Sequence, residues 1–106
     1  MDIDIKLIEF GKILNTRHLG KRVRAKITDK ITTLELEKDQ ETKIRIDFSG
    51  IEAITQGFAD ETFGKLLDGI GWQKFKDRLK IKNCSKNLDT IIKYAISKRK
   101  NQKYKY

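Results

Sequence analysis

Adjacent carboxylates at Asp60 and Glu61, hydroxyls at Ser49 and Thr55, a lone His18 and a lone Cys84 are the side chains with potential for chemistry. A carboxylate pair does acid–base work when both groups reach one atom. Neighbours on a helix point about 100 degrees apart, so the spacing predicts that Asp60 and Glu61 do not converge. Acids in the first turn of a helix also complement its positive dipole end. Capping, or a hydrogen bond to the preceding loop, is their ordinary role, and contact with a partner is the alternative. His18 sits beside Arg17 near a helix start, with no acid or base partner in view. Cys84 cannot form an internal disulfide, and one cysteine with one histidine makes no zinc set. A glycine-rich phosphate loop and a nucleophile paired with a base are also missing from the pattern. The chain reads as non-enzymatic, without cofactor or metal.

The elements that must position these residues follow from hydrophobic spacing. Ile44, Ile46 and Phe48 alternate with Lys43, Arg45 and Asp47, the period of a strand with one covered face. Phe58, Thr62, Leu66 and Ile70, widened by Phe63 and Leu67, predict an amphipathic helix from about Gly57 to Ile70, ended by Gly69 and Gly71. Residues 49–57 are thus an exposed loop between a strand and a helix, where open α/β sheets meet their partners. Asp47, at the strand end, is placed to accept N–H groups of that loop.

Upstream, Ile3, Ile5 and Leu7 predict a first strand to about Phe10. Lys12-Ile13-Leu14 suggests a short second strand folding back on it as a hairpin. Leu19, Val23, Ile27, Ile31 and Leu34 predict a helix over 16–37 capped by Asn15 or Thr16, with β-branched Ile31-Thr32-Thr33 as a point where it can end early. Downstream, Trp72 and Phe75 extend the apolar stripe or cap the core, and Leu79 and Ile81 mark a strand ending near Asn83. Leu88, Ile91, Ile92, Ala95 and Ile96 then mark a last helix, capped by Ser85 or Asn87. Residues 98–106 are basic and aperiodic, and are expected to form a flexible tail after a domain spanning 1–97. Strands alternating with helices argue for an α/β fold with a small, mixed or mostly parallel sheet. Because the strands alternate apolar with charged residues, helices are expected mainly on one face.

The net charge of +9 is unevenly distributed. Residues 1–71 carry 12 basic and 13 acidic side chains, whereas residues 72–106 carry 12 basic and 2 acidic. No apolar run approaches the roughly 18 residues of a membrane span, and the acidic, alternating start is unlike a signal peptide. A soluble, cytoplasmic protein is expected, without a membrane association, as a monomer or dimer.

The run Asp47-Phe48-Ser49-Gly50-Ile51, then Ile54, then Phe58-Ala59-Asp60-Glu61 and Leu66, resembles the core of the STAS-like domain family of unassigned function. Thr16-Arg17 with Gly20 and Val23, and Phe75 with the strand to Asn83, extend the resemblance over about residues 15–85. The resemblance implies a STAS-like fold and kinship with anti-sigma-factor antagonists, in which a serine at the helix start is phosphorylated by a kinase-like ATPase. A doubly charged group at a helix N-terminus inside an interface makes a physically sensible switch. The matching positions here are Thr55-Gln56-Gly57-Phe58, and the serine is absent. Thr55 and Ser49 are the remaining hydroxyls, with a helix cap and a turn as their local explanations.

The expected function is therefore regulatory protein–protein interaction with a signalling partner. The partner-binding candidates are Ser49, Thr55, Gln56, Gly57, Phe58, Asp60 and Glu61, with Thr55 the candidate for phosphorylation. The alternative is nucleic-acid binding by the basic C-terminal third, through Lys98, Arg99, Lys100, Lys103, Tyr104 and Lys105. An excess of lysine over arginine, 18 against 6, weighs against sequence-specific reading of bases.

Overall fold

The computed structural model describes residues 2–103 and has an α/β fold. Strand β1 (Asp2–Lys6), β3 (Lys43–Asp47) and β5 (Leu79–Lys82) form a three-stranded sheet in the order β1-β3-β5, parallel throughout. Crossover α1 (Arg17–Leu36) lies between the first two strands. Between the second and third run α2 (Gln56–Ala59), a π turn (Asp60–Gly64), α3 (Lys65–Ile70) and α4 (Trp72–Arg78). Helix α5 (Lys86–Lys103) closes the chain.

Period-two alternation sorts the sheet into two faces. Ile5, Ile44, Ile46 and Phe48 are buried against Val23, Ile27, Ile31 and Leu34 of α1, Phe58, Phe63 and Leu66, and Leu88 and Ile92 of α5. Each such side chain removed from water contributes about 1.5–3 kcal/mol. Phe48 and Phe63 stack with ring centroids 6.2 Å apart, joining strand to helix at the centre. The opposite face is charged. Asp2, Asp4 and Lys6 lie level with Lys43, Arg45 and Asp47, and Arg45 donates to both oxygens of Asp4.

Several elements differ from the sequence expectation. The first strand stops at Lys6: Leu7 is still buried in step with Ile5, but Ile8 breaks the alternation and the chain enters a 3₁₀ turn, Leu7–Phe10. Ile13–Leu14 is a strand, β2, but it pairs in parallel with β4 (Ala53–Ile54) instead of folding back on β1. Helix α1, by contrast, keeps the expected span and does not end early at Ile31-Thr32-Thr33, since burial of Ile31 and Leu34 outweighs the weak propensity of that triplet. Residues 72–78 form a helix of their own after Gly71, whose φ of 86° breaks the run at 56–70.

The last difference concerns the tail expected at 98–106. Helix α5 continues to Lys103, so residues 98–103 belong to the folded body. Polar contacts hold this end where the apolar stripe has run out: Arg99 is bound by carboxylates and the Lys100 ammonium lies 3.7 Å from the Trp72 ring centre. Tyr104, Lys105 and Tyr106 lie outside the described residues. No helix among the described residues is long and apolar enough to cross a membrane.

Candidate functional site

The loop from Ser49 to Thr55 is held at both ends. At its start the Asp47 carboxylate accepts from Asn83 Nδ2 and from the Ser49 backbone N–H, each at 2.9 Å, and these bonds, that of Asn83 foremost, keep Asp47 below its ordinary carboxylate range. Gly50 turns the chain at φ 83°, packed on Ile8. The short β2–β4 pairing then ties the loop to residues 12–14, with Glu52 N–H donating to the Lys12 carbonyl at 2.8 Å and Thr55 N–H to Leu14 at 3.1 Å. At its end the Thr55 hydroxyl accepts from Phe58 N–H at 3.2 Å and caps the helix. Gln56 reaches the Ile91 carbonyl of α5 at 3.4 Å.

Behind this loop the carboxylates of Asp60 and Glu61 sit among cations. Arg17 Nη1 lies 3.3 Å from both Asp60 Oδ2 and Glu61 Oε1, so the two acids do converge on one group. The expectation of divergence assumed α-helical turns. Asp60–Gly64 is a π turn, whose extra residue narrows the angle between successive side chains. Arg99 takes Asp60 by both oxygens, at 3.0 and 2.8 Å, and also reaches Asp68. These hydrogen bonds, led by that of Arg99, keep Asp60 ionised below its usual range despite partial burial.

Glu61 is 2% exposed. Burial alone raises its pKa, but Lys65, Arg17 and Arg24 together outweigh that and leave it lowered. Lys65 Nζ and Arg24 Nη1 stand 3.1 and 3.3 Å from Oε2, while Arg24 also donates to the Glu61 backbone carbonyl at 3.0 Å. Glu61 is therefore an internal fastener between α1 and the π turn. The close approach behind it depends on Gly20: a Cβ there would lie 2.8 Å from Glu61 Cβ and 3.0 Å from the Phe58 carbonyl oxygen. Thr62 Oγ1 completes the seam by donating to the Gly20 carbonyl at 3.2 Å.

The predicted site residues accordingly divide. Ser49, Thr55 and Gln56 are exposed, and Gly57 is half-buried with the Arg17 side chain beside it. Phe58 is fully buried in the core and Glu61 is enclosed, so neither offers its side chain to a partner, in contrast to the expectation for both. Asp60 is largely taken up by Arg99 and Arg17. Of the nucleic-acid candidates, Lys98 is exposed, whereas Arg99 is bound to Asp60 and Asp68 and Lys100 lies on Trp72. Lys103 ends α5, and Tyr104 and Lys105 lie outside the described residues.

Sequence reasoning missed Arg24, Lys65 and Asp68 as parts of this network. The i, i+4 spacing of Glu61 and Lys65 was a readable signal. Nothing in linear order joins Arg24 or Arg99 to the acids. No group of metal-ligating side chains occurs among the described residues.

A three-stranded parallel sheet with helices on its apolar face, and a braced loop entering a helix after the central strand, defines a small α/β module of the STAS kind. Residues 19–89 match the family described as the STAS-like domain of unknown function, and the chain belongs to that family. No curated protein and no solved structure gives a significant match.

Proposed function

We propose that the chain is a non-catalytic regulatory module that binds a signalling protein through the loop and helix start at 49–57. The observation that carries this reading is the bracing of an exposed surface. Ser49, Thr55 and Gln56 face outward on backbone tied down by Asp47, by the β2–β4 pairing and by the Thr55 cap. A surface held in one conformation before contact loses little entropy on binding, which favours recognition. Membership of the STAS-like family supports the same reading, and its resemblance to anti-sigma-factor antagonists suggests a kinase-like ATPase as partner. Binding here does not require a phosphoserine, because the helix start carries Thr55, Gln56 and Gly57, and the Thr55 hydroxyl already serves as cap.

Affinity capture from cells of origin tests this with three baits: the unchanged protein, Gln56→Arg, and Glu41→Arg as a control at the other end of β3. A partner held by the unchanged protein and by Glu41→Arg but lost from Gln56→Arg is expected. Identical captured sets for all three baits overturn the proposal.

A further inference from the structure

The sheet ends at β5, whose outer side carries no strand among the described residues. The Lys82 carbonyl is turned inward, accepting from Phe48 N–H at 3.0 Å, and the alternation of the strand turns the Ile81 backbone groups to the open side. Such an edge is a template for an added strand. Beside it runs a groove of about 400 Å³ between α4 and α5, floored by Trp72, Phe75, Leu79, Ile81 and Ile96. Every charged side chain lining that groove is a lysine: Lys76, Lys93 and Lys100.

The charged face of β5 adds a second observation. Lys82 lies level with Asp47, but Lys80 lies level with Arg45, a like charge whose own carboxylates are Asp4 and Asp2. Lys80 has no carboxylate within ion-pair distance among the described residues, and like charges directly opposite are unfavourable. Lysines that guard an edge against aggregation account for Lys80 and Lys82 alone. They do not account for an apolar groove left open beside that edge with no acidic side chain in its lining, where Lys93 is paired with Asp89 at 2.8 Å and Lys76 has no carboxylate within ion-pair distance among the described residues.

We infer that the β5 edge and the adjoining groove dock an extended segment of another protein in which acidic and apolar residues alternate. A strand laid along β5 sends alternate side chains to opposite faces. Its apolar residues enter the groove over Ile81, Ile96 and Trp72. Its acidic residues fall beside Lys80 and Lys82 on the charged face, and one end meets Lys76 at the rim. The sheet supplies main-chain hydrogen bonds, and the period-two pattern supplies selectivity.

A fluorescein-labelled short peptide of alternating glutamate and valine, titrated into the full chain at low and high salt, tests the inference. Anisotropy reports binding, and Trp72, the single tryptophan of the chain, reports the groove. Saturable binding that changes Trp72 emission and weakens with salt is expected. The doubly substituted Lys76→Glu, Lys80→Glu protein, with both changes at exposed positions, should lose about tenfold in affinity. Equal binding of a same-composition peptide with its glutamates in one block overturns the inference. So does equal binding of a single-stranded oligonucleotide, which would make the surface a general polyanion site. Concentration-dependent self-association that the same substitutions abolish would also overturn it, by assigning the edge to a second copy. Absence of any binding overturns it outright.

Discussion

Arg99 grips Asp60 by both carboxylate oxygens, Nε to Oδ1 at 3.0 Å and Nη2 to Oδ2 at 2.8 Å, joining the end of α5 to the π turn across 39 positions of chain. Gly64 leaves the room for it, since a Cβ at that position would lie 2.8 Å from Asp60 Oδ1 and 3.2 Å from Arg99. The pair is mostly withdrawn from water, with side-chain exposures of 21% and 16%, and its fork geometry suits arginine better than lysine.

A double-mutant cycle on Asp60→Asn and Arg99→Gln should therefore show a coupling of about 1–2 kcal/mol in urea unfolding, above the value usual for an exposed ion pair. Cutting the chain after Ser97 removes Arg99 and Lys100 and should lower stability by a similar or larger amount. If residues 98–106 were merely a tail, the cut protein would unfold at the same urea concentration as the full chain.

Gly20 sets how closely α1 approaches the π turn. Gly20→Ala places a methyl 2.8 Å from Glu61 Cβ and 3.0 Å from a backbone carbonyl, and a main-chain neighbour cannot swing aside. The intrinsic preference of alanine for helix is outweighed here, and a loss of about 1–3 kcal/mol is expected from forced separation of the two elements. Thermal unfolding measures it. An unchanged or raised midpoint would mean that the seam has slack.

Asp39 predicts an acid transition. Its carboxylate accepts from the Thr42 hydroxyl at 2.6 Å and from the Thr42 and Glu41 backbone N–H groups at 3.0 Å each, which pulls its pKa down to about 2. A group with a depressed native pKa contributes stability that is present above the unfolded value and lost as pH falls through the native one. The contribution of Asp39 should be complete above about pH 4 and disappear towards pH 2. Stability measured against pH should fall less steeply over that window in Asp39→Asn than in the unchanged protein. Equal slopes would show that this turn does not couple to folding.

Cys84 should behave as an unreactive thiol. Burial, with the nearby Asp89 charge as a smaller cause, pushes its pKa up to about 11, so little thiolate exists near neutrality. Alkylation by iodoacetamide at pH 8 should be much slower than for a cysteine in an unfolded peptide, and should speed up in denaturant. Modification at the peptide rate in the native protein would contradict this placement.

Much of the fold was legible in linear order. The alternation at 43–48 marked the central strand, the spacing of Val23, Ile27 and Ile31 marked α1, and that of Leu88, Ile92 and Ala95 marked α5, because burial of one face imposes a period wherever an element packs on one side. Asp47 and Thr55 were readable as loop and cap residues because both act on backbone within three positions of themselves. The parallel pairing of β2 with β4 was not legible, since two residues carry no period and their partners lie 40 positions away.

By itself, then, the sequence determined the α/β order, the charged sheet face and the strand, loop and helix of the STAS-like segment, all of them consequences of local periodicity and short-range hydrogen bonding. Only the tertiary structure decided what Asp60 and Glu61 do. A π turn brings them to Arg17 together, Gly20 admits α1 against Glu61, and Arg99 arrives from the end of the chain. Charge pairing at such separations depends on how helices cross. No spacing along the chain encodes that crossing.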